Sequence, residues 1–185
     1  YRLQFELGNL TITPATLMIT PIVGQSKVYG QDDPVLNYTA TGFKFTDTTA
    51  VISGLLGRVE GENVRLYRYT VGSLASLHNN YTFAVDAAST FEIKQAPLVI
   101  VVHENQRKIF GSADPILTYS LQGLQFNDRN VNAISGNLGR VAGEAVGVYA
   151  INQGTLAARA NYFIDTFVPS TFEILRDEVG NVTLP

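Results

Sequence analysis

The 185-residue sequence contains no cysteine, no tryptophan, only two histidines and a single methionine. Without cysteine the chain can form no disulfide, no zinc–thiolate site and no cysteine nucleophile. His78 and His103 have no second histidine or cysteine at the spacing of a metal site. The sequence therefore offers none of the residue sets on which thiol enzymes and zinc proteins depend.

Charge and long apolar runs are also scarce. Charged residues make up 16% of the chain, and the formal net charge is −3 at pH 7. Sequence-independent binding to nucleic acid needs clustered lysine and arginine, so we expect no nucleic-acid partner. No apolar run reaches the length of a membrane-spanning helix, so we expect no membrane insertion. The longest run, residues 96–102, predicts a β-strand, and no secretory signal sequence stands before the first strand-like pattern, so we expect a piece of a longer protein.

Internal repetition is what the sequence does have. The segment Lys27-Val-Tyr-Gly-Gln-Asp-Asp-Pro-Val-Leu-Asn-Tyr returns 81 residues later as Lys108-Ile-Phe-Gly-Ser-Ala-Asp-Pro-Ile-Leu-Thr-Tyr. Ser89-Thr-Phe-Glu-Ile returns in the same way as Ser170-Thr-Phe-Glu-Ile. About 30 identities over roughly 68 aligned positions indicate a duplication, and a period of this length is that of a whole small domain.

The matches also predict the domain boundaries. We expect whole repeats over residues 14–94 and 95–175, each just large enough to bury a core. Residues 1–13 predict the last hairpin of a preceding repeat, and residues 176–185 predict a polar tail or the start of the next linker. Only residues 94–97, with a proline among them, separate the strands at the junction. We therefore expect the domains to be arranged end to end with little swing.

The local pattern is that of strands throughout. Segments 17–20, 36–39, 66–71 and 81–85 are short and rich in aromatic and β-branched residues, with turn-forming residues between them. Several short strands in about 80 residues predict an all-β chain of small antiparallel β-sandwich domains, immunoglobulin-like in type. A possible helical turn over residues 74–78 leaves β-grasp-like domains as the alternative.

Two tyrosines at equivalent positions support the immunoglobulin-like interpretation. Tyr149 follows a glycine in the pattern Gly-x-Tyr-x-hydrophobic, which is typical of a tyrosine corner whose hydroxyl binds the backbone. Its counterpart Tyr67 has Arg65 in place of the glycine. Because most aromatic residues recur in both repeats, we interpret them as core rather than as a sugar-stacking surface.

Several spaced motifs resemble the mostly beta, glycine-rich (MBG) repeat. They cover nearly the whole chain and lie at residues 12–19, 26–38, 139–151, 154–156 and 161–162. MBG repeats occur in long secreted bacterial proteins, often filamentous-haemagglutinin-like adhesins, and have no established catalytic residues. The resemblance therefore implies a structural protein without enzymatic activity that is secreted or displayed on a bacterial surface. The expected location is the outer surface of a Gram-negative bacterium or its extracellular matrix.

The function that this resemblance implies is that of stalk or spacer repeats, which project a distal adhesive region for cell adhesion or biofilm formation. The expected partners are adjacent repeats of the same polypeptide. The alternative is that the repeats themselves bind a matrix polysaccharide or another cell-surface protein, such as a neighbouring adhesin. No cofactor is implied.

Recurring aspartates are the candidate metal ligands. Asp33, Asp47, Asp114 and Asp128 could supply oxygens to calcium. Calcium needs six to eight oxygens with several carboxylates converging, and no run of alternating aspartates is present. We therefore expect turn-forming aspartates and no metal, with calcium as the alternative.

Arginine and glutamate recur four residues apart around a glycine, as Arg58 and Glu62 and again as Arg140 and Glu144. We interpret each arginine as the centre of an ion pair with a glutamate or an aspartate that holds a loop. An arginine that binds an acidic ligand is the alternative.

Lysine and asparagine recur as well. Lys27 with Asn80, and Lys108 with Asn161, are the residue types of an intramolecular isopeptide bond. Because each lysine precedes a turn, we expect it to lie on the surface, and we expect each asparagine to be a turn residue.

Overall fold

The computed structural model describes residues 1–4, 6 and 8–177. Its regular structure consists of strands, apart from a single 3-10 turn, Thr49–Val51, and one short α-helix, α1 (Asn130–Ala133), among these residues. The predicted all-β class is therefore confirmed. Most of the tail predicted over residues 176–185 lies outside the described residues.

The described residues before Ala15 form no strand. The hairpin predicted over residues 1–13 is therefore not found in the part of it that the structure describes. An isolated two-stranded hairpin has too little buried surface to be stable in water. Among the residues that the structure describes, no strand pairs with this segment.

The first repeat contains short strands that alternate with glycine-rich turns. They are β1 (Ala15–Pro21), β2 (Ser26–Val28), β3 (Tyr38–Thr41), β4 (Ile52–Ser53), β5 (Gly57–Arg58), β6 (Arg65–Thr70), β7 (Ala75–Ser76), β8 (Tyr81–Val85) and β9 (Thr90–Lys94). They form a three-stranded sheet in the order β3-β1-β8, a four-stranded sheet in the order β2-β9-β6-β5, and the pair β4-β7.

The second repeat reproduces this arrangement. Its strands are β10 (Ala96–Val102), β11 (Gln106–Ile109), β12 (Tyr119–Gln122), β13 (Ile134–Ser135), β14 (Gly139–Arg140), β15 (Gly147–Asn152), β16 (Ala157–Ala158), β17 (Tyr162–Val168) and β18 (Thr171–Leu175). The sheets have the orders β12-β10-β17, β11-β18-β15-β14 and β13-β16.

The sheets are mixed, which corrects the predicted antiparallel architecture. Strand β1 pairs antiparallel with β3 but parallel with β8, and β10 pairs in the same way with β12 and β17. Strand β11 is parallel to β18. A parallel pair needs a long crossover connection, and here most of the repeat supplies it. Periodicity within a strand carries no information about the direction of its neighbours.

The helical turn considered over residues 74–78 is not formed. Strand β7 occupies this position and pairs antiparallel with β4, with Ile52 opposite Ser76. Leu74 is buried just before the strand. Strand pairing therefore satisfies the backbone hydrogen bonds at a position where the local composition also allowed a helical turn. The β-grasp alternative depended on that helical turn, which is not formed.

The core of the second repeat joins its two larger sheets. Ile100 and Val102 come from the three-stranded sheet, whereas Ile151, Phe172 and Ile174 come from the four-stranded sheet, and all five side chains are buried in one cluster. Alternate residues of each strand point inward, as β10 illustrates with its alternating buried positions. Each face of the core thus comes from a different sheet, as in a β-sandwich.

The chain divides into two compact units. The first comprises Tyr1–Lys27, Asp33–Gly61 and Arg65–Glu92. The second comprises Ile93–Pro185 together with two short segments that precede it in sequence, Val28–Asp32 and Glu62–Val64. The residues that these two segments contribute to the second unit matter for the site described below.

Candidate functional site

A cluster of charged side chains lies beside the core of the second unit. The Asp114 carboxylate accepts hydrogen bonds from Nε and Nη2 of Arg140, at 2.6 and 2.9 Å. Lys108 Nζ lies 2.6 Å from the same carboxylate. Glu144 completes the cluster, since Lys108 and Arg140 both reach its carboxylate, at 2.5 and 2.8 Å. We call these four residues the charged cluster.

Arg140 also organises the backbone and the aromatic residues around it. Its Nη1 donates to the carbonyl oxygens of Val141 and Gly143, at 3.0 and 2.7 Å. The guanidinium carbon lies 5.1 Å from the ring centres of Tyr149 and Phe172. One planar side chain thus joins a loop, two carboxylates and two core rings, which a lysine could not do.

The first repeat has the same arrangement around Asp33. Arg58 donates to both oxygens of this carboxylate, at 2.6 and 2.8 Å, and Lys27 Nζ lies 2.6 Å from it. Arg58 also donates to the carbonyl of Gly61 and lies 4.9 Å from the ring centre of Tyr67. Glu62, the counterpart of Glu144, lies in a segment that belongs to the second unit.

Lys27 and Lys108 are buried, which corrects the expectation that they lie on the surface. Their exposed fractions are 6% and 8%. A turn follows each lysine, at residues 29–30 or 110–111, but the lysine side chain points inward from its strand. Carboxylates neutralise the charge of the buried amine. In the second unit Lys108 binds Asp114 and Glu144, whereas the Asn161 amide binds Asn63 and Val64. The lysine and the asparagine that an isopeptide bond would join thus each bind other partners.

The charged cluster shifts the acidity of its members. The Arg140 guanidinium, and after it Lys108, lower the pKa of Asp114 to about 2. Lys108 and Arg140 lower the pKa of Glu144, and Arg58 with Lys27 lower that of Asp33. Asp114 and Glu144 in turn raise the pKa of Lys108, so its amine stays protonated at neutral pH and is not a nucleophile.

These shifts predict a loss of stability in acid. Carboxyl groups with lowered pKa values stabilise the folded state fully above their unfolded pKa of about 4, and this contribution disappears as the pH falls toward about 2. We expect the melting temperature, followed by circular dichroism, to fall steadily between pH 5 and pH 2. Asp114→Asn should melt lower at pH 6 and show a weaker dependence below pH 5. A wild-type melting temperature that stays constant from pH 5 to pH 2 would contradict the assignment.

Tyr149 lies where the tyrosine corner was expected. Its hydroxyl donates to the carbonyl of Ala145, four residues upstream, at 2.7 Å. Gly143 faces the ring so closely that a Cβ atom there would overlap it. In the first repeat the ring of Tyr67 is buried at the equivalent position against Gly61.

The other two candidate calcium ligands bind tyrosine hydroxyl groups. Tyr81 donates to Asp47 and Tyr162 donates to Asp128, both at 2.7 Å. In the part of the chain that the structure describes, no three histidine, cysteine, aspartate or glutamate side chains are placed to hold a metal ion. The four candidate aspartates are thus divided between arginine and tyrosine partners, and calcium remains a proposal that a melting comparison in chelator and in millimolar calcium can test.

An aromatic groove surrounds Asp128 in the second unit. The Tyr29 hydroxyl donates to Asp128 Oδ2 at 3.0 Å, on the same oxygen that Tyr162 uses. The Tyr29 ring packs edge-on against Phe126 and Tyr162, with ring centres 5.2 and 5.3 Å away. Tyr29 is only 7% exposed there. We call Phe126, Asp128 and Tyr162, and likewise their counterparts in the first repeat, the tyrosine groove. We call the tripeptide that begins at Tyr29, and likewise its counterpart that begins at Phe110, the aromatic loop.

Two further contacts accompany Tyr29. The Val64 N–H donates to Asn161 Oδ1, and Asn161 Nδ2 donates to Asn63 Oδ1, both at 3.0 Å. Gly30 approaches Gln125 so closely that any Cβ would overlap it, and its φ of 91° also favours glycine. The aromatic loop therefore requires glycine at its second position.

The first unit contains the same groove, but none of the described residues inserts an aromatic ring into it as Tyr29 does in the second unit. Phe45, Asp47 and Tyr81 occupy the positions of Phe126, Asp128 and Tyr162. They line an open cavity of about 280 Å³ together with residues from Ile12 to Ala15 and Asn79 to Asn80.

Sequence reasoning assigned Asp47 and Asp128 to possible metal binding and missed the groove. It also missed the conformation of Phe45 and Phe126, whose φ angles of 55° and 51° place both in the left-handed region. A bulky residue rarely adopts this conformation. Nothing in a one-dimensional pattern indicates a left-handed phenylalanine, although the recurrence of Phe, Asp and Tyr at one offset was a usable signal.

The site defines a class of protein: tandem all-β repeats whose recurring polar residues bind one another. Residues 17–92 and 98–173 both match the MBG domain of the YGX type, so the chain belongs to this family. Tyr29, Gly30 and Gln31 form a Tyr-Gly-x tripeptide in keeping with that description. No curated protein and no solved structure matches the chain.

Membership has limited consequences for function. The MBG family is not an enzyme family, and its tandem repeats imply a repeat-containing bacterial surface protein. No helix among residues 1–4, 6 and 8–177 is both long and apolar enough to cross a membrane.

Proposed function

We propose that this chain is a piece of the stalk of a bacterial adhesin, secreted or held on the outer surface of the cell, and that its repeats space a distal adhesive region away from the cell. Adhesion or biofilm formation would be the role of the whole protein. Adjacent repeats of the same polypeptide are the partners that such a stalk requires.

The position of the end strands supports this proposal. In the second repeat the first strand, β10, lies between β12 and β17, and the last strand, β18, lies between β11 and β15. In the first repeat β1 and β9 are likewise flanked on both sides. A pull on the two ends of a repeat must therefore break hydrogen bonds to two neighbours at each end strand. This is a useful property in a spacer that is held under tension.

Single-molecule pulling of the chain tests the proposal. We expect two separate unfolding events, each releasing roughly 25 nm of chain, as an unfolded repeat of about 80 residues would. Val101→Pro removes one backbone donor from β10, which is hydrogen-bonded on both sides. This variant should lower the force of one event and leave the other unchanged, so the first repeat serves as the control. Gradual extension without separate events would contradict a load-bearing spacer.

The alternative function has its own test. If the repeats bind a matrix polysaccharide directly, the chain should bind one glycan class on an array at micromolar concentration. Such binding would favour the alternative over the stalk, whatever the pulling experiment shows.

A further inference from the structure

The tyrosine groove occurs in both units, but an aromatic side chain fills it in the second unit alone among the described residues. There the Tyr29 ring contacts Phe126 and Tyr162, and its hydroxyl binds Asp128. With Tyr29 packed against it, Phe126 is 60% exposed, whereas its counterpart Phe45 is fully exposed. The open groove of the first unit thus has the chemistry of a site for an aromatic ring that carries a hydroxyl group.

The residues of the open groove are held ready for a ligand. Tyr81 donates to Asp47 at 2.7 Å and accepts from the Lys44 N–H at 2.9 Å, as Tyr162 does with Asp128 and the N–H of Gln125. Asp47 Oδ2 can accept a second hydrogen bond, as Asp128 Oδ2 does. The backbone at Phe45 is left-handed although its side chain is fully exposed. A strained conformation of this kind is typical of a binding position.

The aromatic loop of the second repeat, residues 110–112, is exposed in this chain. Phe110, the counterpart of Tyr29, is 55% exposed, against 7% for Tyr29. A Cβ at Gly111 would meet nothing within 4 Å, whereas one at Gly30 would overlap Gln125. Ile109 beside it is 48% exposed. The chain therefore presents one open groove and one free loop of matching shape.

We propose that the groove of Phe45, Asp47 and Tyr81 in the first unit binds the loop at residues 110–112 of a second copy of this chain, so that copies join head to tail. The contact is heterologous, because different surfaces meet, and it can therefore propagate along a row of molecules. Ile12, 88% exposed beside the groove, adds apolar surface to the contact. The proposal depends on the groove and the loop alone and does not require the stalk function.

Phe110 has no hydroxyl group, so a loop with tyrosine at this position should bind more tightly. We expect wild-type chains to self-associate at high micromolar to millimolar concentration, because one small contact is made. Phe110→Tyr should strengthen association about tenfold, as one added hydrogen bond to a carboxylate would. Sedimentation velocity and amide chemical shifts over a dilution series measure both. The shifts should be confined to residues 44–47 and 79–81 and to the loop at residues 109–112.

Two variants that each lack one surface make the test specific. Phe45→Asn removes the ring of the groove at an exposed position where asparagine tolerates the backbone, and Phe110→Ala removes the loop. Each variant alone should remain monomeric, and their equimolar mixture should form one-to-one dimers. Phe163→Tyr, which adds a hydroxyl to another exposed phenylalanine of the second repeat, is the control and should associate as the wild type does.

Three results would overturn the proposal. The first is a Phe110→Tyr chain that stays monomeric at 2 mM. The second is association that persists in Phe45→Asn alone or in Phe110→Ala alone, which indicates a different surface. The third is a mixture of these two variants that stays monomeric. Phe45 and Phe110 are more than half exposed and Phe163 is 40% exposed, so the amide spectra of the variants should show folded protein in every case.

Discussion

Arg140→Ala should lower the free energy of unfolding by about 2–3 kcal/mol, because Arg140 itself is nearly buried and its hydrogen bonds to charged partners are lost, whereas the partly exposed carboxylates of Asp114 and Glu144 regain water. The substitution removes the guanidinium that pairs with Asp114 and Glu144, leaves Lys108 to neutralise both carboxylates, and frees the carbonyl of Gly143. It also removes the side chain that lies over Phe172. Arg140→Lys should recover little of the loss, because a lysine cannot bind both carboxylates and the loop carbonyls together.

Arg107→Ala is the matched control for Arg140. Arg107 lies beside Lys108 in β11 and is exposed, so its loss should change stability by no more than about 0.5 kcal/mol. Urea denaturation followed by circular dichroism measures both variants. A loss below about 1 kcal/mol for Arg140→Ala would mean that the charged cluster contributes specificity of fold rather than stability.

Phe172→Ala should cost about 3–5 kcal/mol, the usual penalty for emptying a buried aromatic position. Phe172 is completely buried and contacts the core cluster that joins the two sheets of the second repeat. Its ring also supports the Arg140 guanidinium. The substitution should therefore weaken the packing of the core and the order of the charged cluster at once.

Phe163→Ala is the control for this substitution. Phe163 belongs to the same repeat and is 40% exposed on β17, so its removal should cost about 1 kcal/mol or less. Differential scanning calorimetry at pH 7 separates the two variants. Similar melting temperatures for them would show that the core tolerates the cavity by collapsing around it.

Much of the fold followed from the repetition and from local pattern. The run at residues 96–102 predicted a strand, and β10 has those same bounds. The segments at residues 66–71 and 81–85 likewise correspond to β6 and β8. Strands of this kind can be predicted because aromatic and β-branched residues are concentrated in them and turn-forming residues lie between them. The pairing of strands was not predictable in this way, since a parallel neighbour leaves no mark in the sequence of either strand.

The candidate site was less accessible to sequence reasoning. Recurrence singled out Arg58, Arg140 and the aspartates, but it could not show that Asp33 and Asp114 are the acceptors. The burial of Lys108 was missed because a lysine beside a turn is ordinarily solvated, and only the meeting of two distant carboxylates makes burial acceptable. The groove around Tyr29 depends on long-range packing that no local window contains.

The parallel pairing of early and late strands governs the order in which a repeat can fold. Ala96 in β10 is opposite Tyr162 in β17, and Gln106 in β11 is opposite Phe172 in β18. Contacts between residues so far apart in sequence make folding slow, because a long loop has to close before any pairing energy is gained. A repeat that emerges N-terminus first, from a ribosome or from any narrow channel, therefore stays incomplete until its final strand is out. Each domain can thus pass through a narrow channel as an unfolded chain for almost its entire length. It becomes a rigid unit only after its last strand has emerged.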